Sequence, residues 1–268
     1  MRDKGLISMI LLGCLLSSCD KVIDVKLDGA DSQVVIEGEI TANRGPYVVK
    51  VSESKPFDAD NTFPGRNDAI VMIKDMKSGL SETLKSVGAG AYQTSTLAGA
   101  GGNTYQLTVV LDGKTYTATS TIPSQAVRID RLFAKKFALD NDQVFMVPVF
   151  KDPVGKGNYY RIRQWVDGVM VKGSYVRSDE ATDGRTYDGQ LFYSTDAADG
   201  NPLIVNGSVM RAELQCVDKA VYDYFRTLSN TIDQDASTPA NPQSNITGGA
   251  LGVFNACRSN ALSATAKF

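Results

Sequence analysis

The stretch Thr104-Tyr-Gln-Leu-Thr-Val-Val-Leu-Asp-Gly-Lys-Thr-Tyr-Thr-Ala-Thr-Ser-Thr-Ile122 decides the fold class. Tyr105, Leu107, Val109 and Leu111 recur at every second residue, and Tyr116, Ala118 and Ile122 resume the alternation beyond Asp112-Gly113. Successive side chains of a strand point to opposite faces, so this period gives each arm one apolar face. Asp-Gly between two such arms is the dipeptide favoured where a two-residue turn needs positive φ. Pro123 then stops the pairing, because it has no N–H to donate to a ladder. The same period runs upstream. Val34, Ile36 and Ile40 share one face of residues 34–41 while Glu37 and Glu39 take the other; Tyr47, Val49 and Val51 alternate with Val48, Lys50 and Ser52; residues 69–75 read as a mostly buried strand. No helical pattern intervenes. Residues 30–123 are therefore expected to form a small antiparallel sandwich, immunoglobulin-like or transthyretin-like.

Downstream, residues 128–138, 144–151, 158–166, 169–175 and 203–217 also read as strands, with Asp167-Gly168 turning a second hairpin. Ser208, Met210, Ala212, Leu214 and Cys216 are expected on one inner face. Asp218 reads as the N-cap of a single helix, since Val221, Tyr224, Phe225, Leu228 and Ile232 follow at helical spacing. Residues 233–244 hold no apolar side chain larger than Ala and read as a loop, and strands near 251–257 and 262–268 close the chain. The expectation is an all-β protein of two domains. The sandwich at 30–123 is followed by a second, mostly antiparallel β domain at 124–268 with one late helix.

The N-terminus reads as an address. Arg2 and Lys4 precede a twelve-residue apolar run, Gly5–Leu16, which is too short for a membrane of about 30 Å that needs about 20 residues. Its length fits a signal-peptide core. Leu16-Ser17-Ser18-Cys19 places two small residues before a cysteine, as a lipoprotein signal requires, so residues 1–18 are expected to be removed and Cys19 to carry acyl chains. Those chains would hold the protein on a membrane at about 0.8 kcal/mol per buried CH₂. Residues 19–29 would serve as the linker.

Composition excludes several functions. There is no His, which removes Ser-His-Asp and Cys-His catalysis, imidazole metal sites and His-based switching. Lys and Arg number 28 against 30 Asp and Glu, so no basic excess points to nucleic acid. Losing residues 1–18 moves the net charge from −2 to −3, which gives no pull toward anionic lipid. The acidic residues at 58–61, 140–142, 179–183 and 196–199 sit among Gly, Asn and Ala and match no twelve-residue calcium loop. They read as solvated turns, with a calcium site as the sharper alternative. No catalytic residue, metal ligand or cofactor is expected.

Two features remain. In Tyr159-Tyr-Arg-Ile-Arg-Gln-Trp-Val166, one face would carry Tyr159, Arg161, Arg163 and the single Trp, Trp165. Such a face can grip a planar or anionic ligand or a partner protein, or it can be a solvated face on which Arg packs over aromatics. Cys216 and Cys257 would be two buried thiols or a disulfide. A bridge over 41 residues would add about 3–4 kcal/mol in the chain-entropy model.

Val34-Val-Ile-Glu-Gly38 with Ile40-Thr41, Gly90-Ala-Tyr92, Tyr105-Gln-Leu107-Thr-Val109, Gly113-Lys-Thr-Tyr116-Thr-Ala118, Ile122-Pro123 and Asn245-Ile246-Thr-Gly248-Gly249-Ala-Leu-Gly252-Val253-Phe254 follow the lipobox in an order that resembles the Bacteroidota lipoproteins known as domain of unknown function 4249. The resemblance runs from the lipobox to about Phe254. It implies an outer-membrane lipoprotein, facing the cell surface or the periplasm, that is an accessory or binding subunit of a TonB-dependent uptake system. It brings no catalytic residues. A structural or adhesive surface protein is the alternative expectation, and a carboxylate-dependent hydrolase the third.

Overall fold

A computed structural model describes residues 32–55, 63–173, 175–232 and 241–268. The lipidation residue Cys19, residues 1–29 as a whole and most of the expected loop at 233–244 lie outside them. The chain runs through β1 (Val34–Thr41), β2 (Val48–Glu53), β3 (Ile70–Asp75), β4 (Ser81–Thr83), β5 (Lys85–Gly88), β6 (Ala91–Gln93), β7 (Thr104–Leu111) and β8 (Lys114–Thr121). It continues through β9 (Arg131–Phe137), β10 (Asp140–Lys151), β11 (Tyr159–Val166), β12 (Val169–Met170), β13 (Tyr175–Ser178), β14 (Thr186–Tyr187) and β15 (Val209–Val217). It then enters helix α1 (Lys219–Ile232) and ends in β16 (Ile246–Thr247) and β17 (Leu251–Thr265). The protein is mostly β with one late helix, as the alternation requires.

The deciding hairpin forms as read. Leu107 pairs with Ala118 across the ladder, and Asp112 and Gly113 turn at φ 50° and 73°. Tyr105, Leu107, Val109, Leu111, Tyr116, Ala118 and Ile122 are all buried in one core with Ile36, Ile40, Val49 and Val51. Asp167 and Gly168, at φ 50° and 82°, make the second hairpin, between β11 and β12.

Three sheets result. The largest has nine strands in the order β12-β11-β15-β17-β1-β2-β6-β5, with β13 also on β11; a five-stranded sheet runs β16-β8-β7-β3-β4, and a three-stranded one β14-β10-β9. Residues 32–268 make one compact unit. Within it, one core draws on residues 36–122 and a second on 127–216 with Ala266, yet Ile246, Ala250, Phe254 and Ala256 pack into the first. The C-terminal segment therefore belongs in part to the core of the N-terminal strands.

The cause is β17, read from sequence as two strands and found as one. Its first half pairs in parallel with β1, Leu251 to Val35 through Cys257 to Thr41, the one parallel ladder among the described strands. Its second half pairs antiparallel with β15, Arg258 to Cys216 through Thr265 to Val209. Gly252 permits the crossing: at φ 101° it lies so close to β1 that a Cβ would sit 2.1 Å from the Ile36 carbonyl oxygen. The polar run Arg258-Ser259-Asn260, which falls between the two strands expected from sequence, is continuous strand because each side chain finds a distant partner. The Arg258 Nε donates to the Pro123 carbonyl at 2.8 Å, the Ser259 hydroxyl donates to Glu213, and Asn260 Oδ1 accepts from the Ile129 N–H at 3.0 Å.

Asp218 caps α1 as expected, its Oδ1 accepting from the Val221 N–H at 3.0 Å. Its Oδ2 accepts from the Ser120 hydroxyl and the Thr121 N–H, which ties the helix start to β8. The helix buries Val221 and Phe225 against Val217, Val253 and Cys257 of the large sheet.

Candidate functional site

The large sheet presents two different surfaces along β11 and β15. Tyr160, Ile162, Val166, Met210, Ala212, Leu214 and Cys216 point into the second core, as the period predicts. On the opposite surface lie Tyr159, Arg161, Arg163 and Trp165, and the structure does not leave them simply solvated. Tyr159 packs against Tyr222 of α1, with ring centroids 5.1 Å apart. The Arg161 guanidinium sits 3.7 Å over the Phe225 ring. Trp165 lies between the Arg211 and Arg163 guanidiniums, at 4.4 and 5.8 Å.

Four neighbouring strands complete a polar network on this surface. Arg163 donates to Glu213 of β15 at 2.8 Å and to Glu39 of β1 at 3.2 Å. Gln215 donates to Glu39 at 3.1 Å and to Glu213 at 3.3 Å, and Asn255 of β17 donates to Glu39 and Gln215. Arg161 is served less well: it donates to Gln215 at 3.3 Å and approaches Glu39, already taken by Arg163, only to 3.9 Å. Burial alone would raise the Glu213 carboxyl, but hydrogen bonds from Arg163 and Ser259 outweigh it and hold the group below its ordinary value. Burial pulls Arg161 down to about 10, and the adjacent Arg163 charge pulls the same way.

The edge of β11 is broken at this network. β13 pairs with Tyr159–Ile162 and β12 with Trp165–Val166, which leaves Arg163 facing a gap. A cleft of about 710 Å³ opens there, within the size range of small-molecule sites. Its wall includes Arg161, Arg163, Lys172 and Arg226, with Asp199 as the one acidic side chain among the described lining residues. Rings of Tyr175, Phe192, Tyr193 and Tyr222 complete it. Lys172 is fixed by donating its ammonium to the Asp199 carbonyl at 2.7 Å and its N–H to Asn201 Oδ1 at 2.8 Å. Two residues of this wall, Arg163 and Gln164, each carry a buried polar atom, Nε and Oε1, with no hydrogen-bond partner among the described residues.

The cysteine bridge is corrected. Both thiols are free and buried. Cys216 is opposite Arg258 and packs in the second core, while Cys257 packs with Val217 under the helix. They lie on opposite faces of adjacent strands, and side chains pointing apart cannot form an S–S bond. Burial pushes both thiols above the ordinary cysteine value, Cys257 furthest.

Among the described residues, one trio of carboxylates comes close enough to share an ion: Asp152, Asp179 and Asp183, with oxygens within 4.8 Å of one another. Asp179 and Asp183 belong to an acidic loop expected to be solvated, yet Asp179 is 1% exposed. Its oxygens accept from the N–H groups of Gly157 and Asn158, both at 3.0 Å, and from the Asn158 side chain. Asp152 accepts from the Tyr160 hydroxyl and, at 2.9 Å, from the Gly184 N–H. These carboxylates brace the turns that carry β11 and β14.

The sequence reading missed Glu39 as a partner, Glu213, Gln215, Asn255, and the cleft residues Gln164, Lys172 and Arg226. The available signal was Arg211, Glu213 and Gln215 at every second position of β15, alternating with apolar residues. A strand with one polar face normally shows that face to water, so they read as surface.

The fold and site define a mostly β protein with a single helix, whose largest sheet opens at one edge into an Arg- and aromatic-lined cleft. The chain belongs to the family described as domain of unknown function (DUF4249), which matches residues 20–262. No curated protein matches it. No helix among the described residues is long and apolar enough to cross a membrane.

Proposed function

We propose that this protein is an outer-membrane-anchored lipoprotein that serves as a binding or accessory subunit of a TonB-dependent nutrient uptake system, with the edge cleft as its ligand site. The observation that carries the binding role is the cleft itself: about 710 Å³, four cations against one carboxylate, and four aromatic rings. A wall of this kind orients a small ligand through a few directed polar groups and covers its faces with rings. The anchor rests on Leu16-Ser17-Ser18-Cys19 after its apolar run. A partner is supported by four exposed apolar side chains, Val169, Met170, Val205 and Val209, each more than half exposed. They lie on β12 and at or just before the start of β15, segments joined by the Asp167–Val209 hydrogen bonds. Grouped exposed apolar residues mark interaction surfaces more often than solvated ones.

The test is recovery of the native lipoprotein from detergent-solubilised outer membrane, with mass spectrometry of what accompanies it. An outer-membrane transporter enriched over a Cys19→Ser control is the expected result. Labelled palmitate entering Cys19→Ser as strongly as wild type would overturn the anchor, and recovery without any transporter would overturn the accessory role.

A further inference from the structure

We propose that the cleft at the break between β12 and β13 binds a small anionic polyol, its anion a carboxylate or a phosphate. The inference rests on the binding role above and specifies its ligand.

Charge is the first argument. Arg163 is neutralised from behind by Glu213 and Glu39. Arg161 has only a shared carboxylate at 3.9 Å. Lys172 spends its ammonium on a backbone carbonyl rather than on a carboxylate. Arg226 is 44% exposed and reaches Asp223 only at 3.7 Å. Three cations thus line one space with weak compensation from carboxylates, and an anion entering there replaces water with charge-assisted hydrogen bonds.

The second argument is independent of charge. Gln164 is 6% exposed and its Oε1 accepts from no donor among the described residues, while the neighbouring Arg163 Nε donates to no acceptor. A buried polar atom without a partner is costly, so such atoms are rare in finished structures. Arg163 and Gln164 are consecutive residues of β11, so their side chains flank the broken edge from opposite faces of the sheet, and both residues line the cleft. One side needs a donor and the other an acceptor, and a ligand carrying several hydroxyl groups supplies both. The third argument is shape. Tyr175, Tyr193, Tyr222 and Phe192 line the cleft, and aromatic walls of this kind suit the C–H surface of a compact polyol.

The full-length protein, purified in detergent, is titrated calorimetrically with D-galacturonate, D-glucose 6-phosphate and D-glucose. At least one anion is expected to bind saturably, about tenfold or more tighter than D-glucose, and to weaken as sodium chloride rises. Saturation by galacturonate alone or by the phosphate alone assigns the anion. Arg226→Gln, on the exposed side of α1, is expected to weaken the bound anion about tenfold with an unchanged thermal midpoint, whereas Gln164→Leu is expected to weaken binding without changing its salt dependence. Absence of binding by both anions, or equal binding of D-glucose, overturns the proposal. Transporter recovery without any bound probe would sink the ligand and leave the accessory role standing; bound anion without a transporter would do the reverse.

Discussion

The two surfaces of β11 and β15 are built on opposite rules. The inner surface buries Tyr160, Ile162, Met210, Ala212 and Leu214 in an apolar core. The outer surface buries Glu213 and Gln215 nearly as deeply, at 6% and 0% exposure, against arginines, an amide and a hydroxyl. Both surfaces are interior, yet one is stabilised by removing apolar area from water and the other by pairing charges that would be costly alone. Alternating polarity locates a strand; it does not say whether the polar side meets water or a set of partners on three other strands.

The largest effect expected from this comparison lies on the apolar surface. Leu214→Ala should lower the unfolding free energy by about 3–4 kcal/mol, since Leu214 is wholly buried and its removal leaves a cavity in the apolar core. Denaturant unfolding measures it, and a loss below about 1 kcal/mol would mean the inner surface is loosely packed. On the polar surface, Glu213→Leu should cost about 2–3 kcal/mol, because it strips Arg163 of its nearest carboxylate inside the sheet. Removing Arg161 and Arg163 together should likewise lower the melting temperature, which a solvated face would not do. The sign with pH follows from Glu213. Its folded value is depressed, so its contribution is complete above the ordinary carboxylate value and is lost as pH falls through the lower folded value. Glu213→Gln should therefore lose less stability than wild type across that acid window, as pH-dependent melts would show. The smallest effect concerns the thiols. Intact mass should be identical with and without reductant, and Cys216 and Cys257 should alkylate only after unfolding. A deficit of two hydrogens in the unreduced protein would contradict the placement of the two on opposite faces.

How much was legible follows from the range of the interactions. The hairpins at Asp112-Gly113 and Asp167-Gly168, the inner-face set on β15 and the Asp218 cap depend on neighbours a few residues away, and alternation or capping chemistry exposes them. The face carrying Tyr159, Arg161, Arg163 and Trp165 was also legible as a face. Its environment was not, because Arg163 reaches Glu39 across 124 residues and Asn255 reaches it across 216. The parallel pairing of β1 with β17 was hidden for the same reason. No local signal records it except Gly252, whose missing side chain admits the Ile36 backbone. The cleft was invisible because it exists only where two short strands, β12 and β13, fail to meet along one edge.

The central claim is that the outer surface of β11 and β15 is a paired interior network and not a solvated face. A double-mutant cycle at Arg163 and Glu213 tests it most directly, with Arg163→Met, Glu213→Leu and the double variant compared by denaturant unfolding. The account predicts that each single variant is strongly destabilised and that the double variant recovers part of the loss, with a coupling above about 1 kcal/mol. Single effects within about 0.5 kcal/mol of wild type that simply add would show two solvated side chains, and the account of this surface would be wrong.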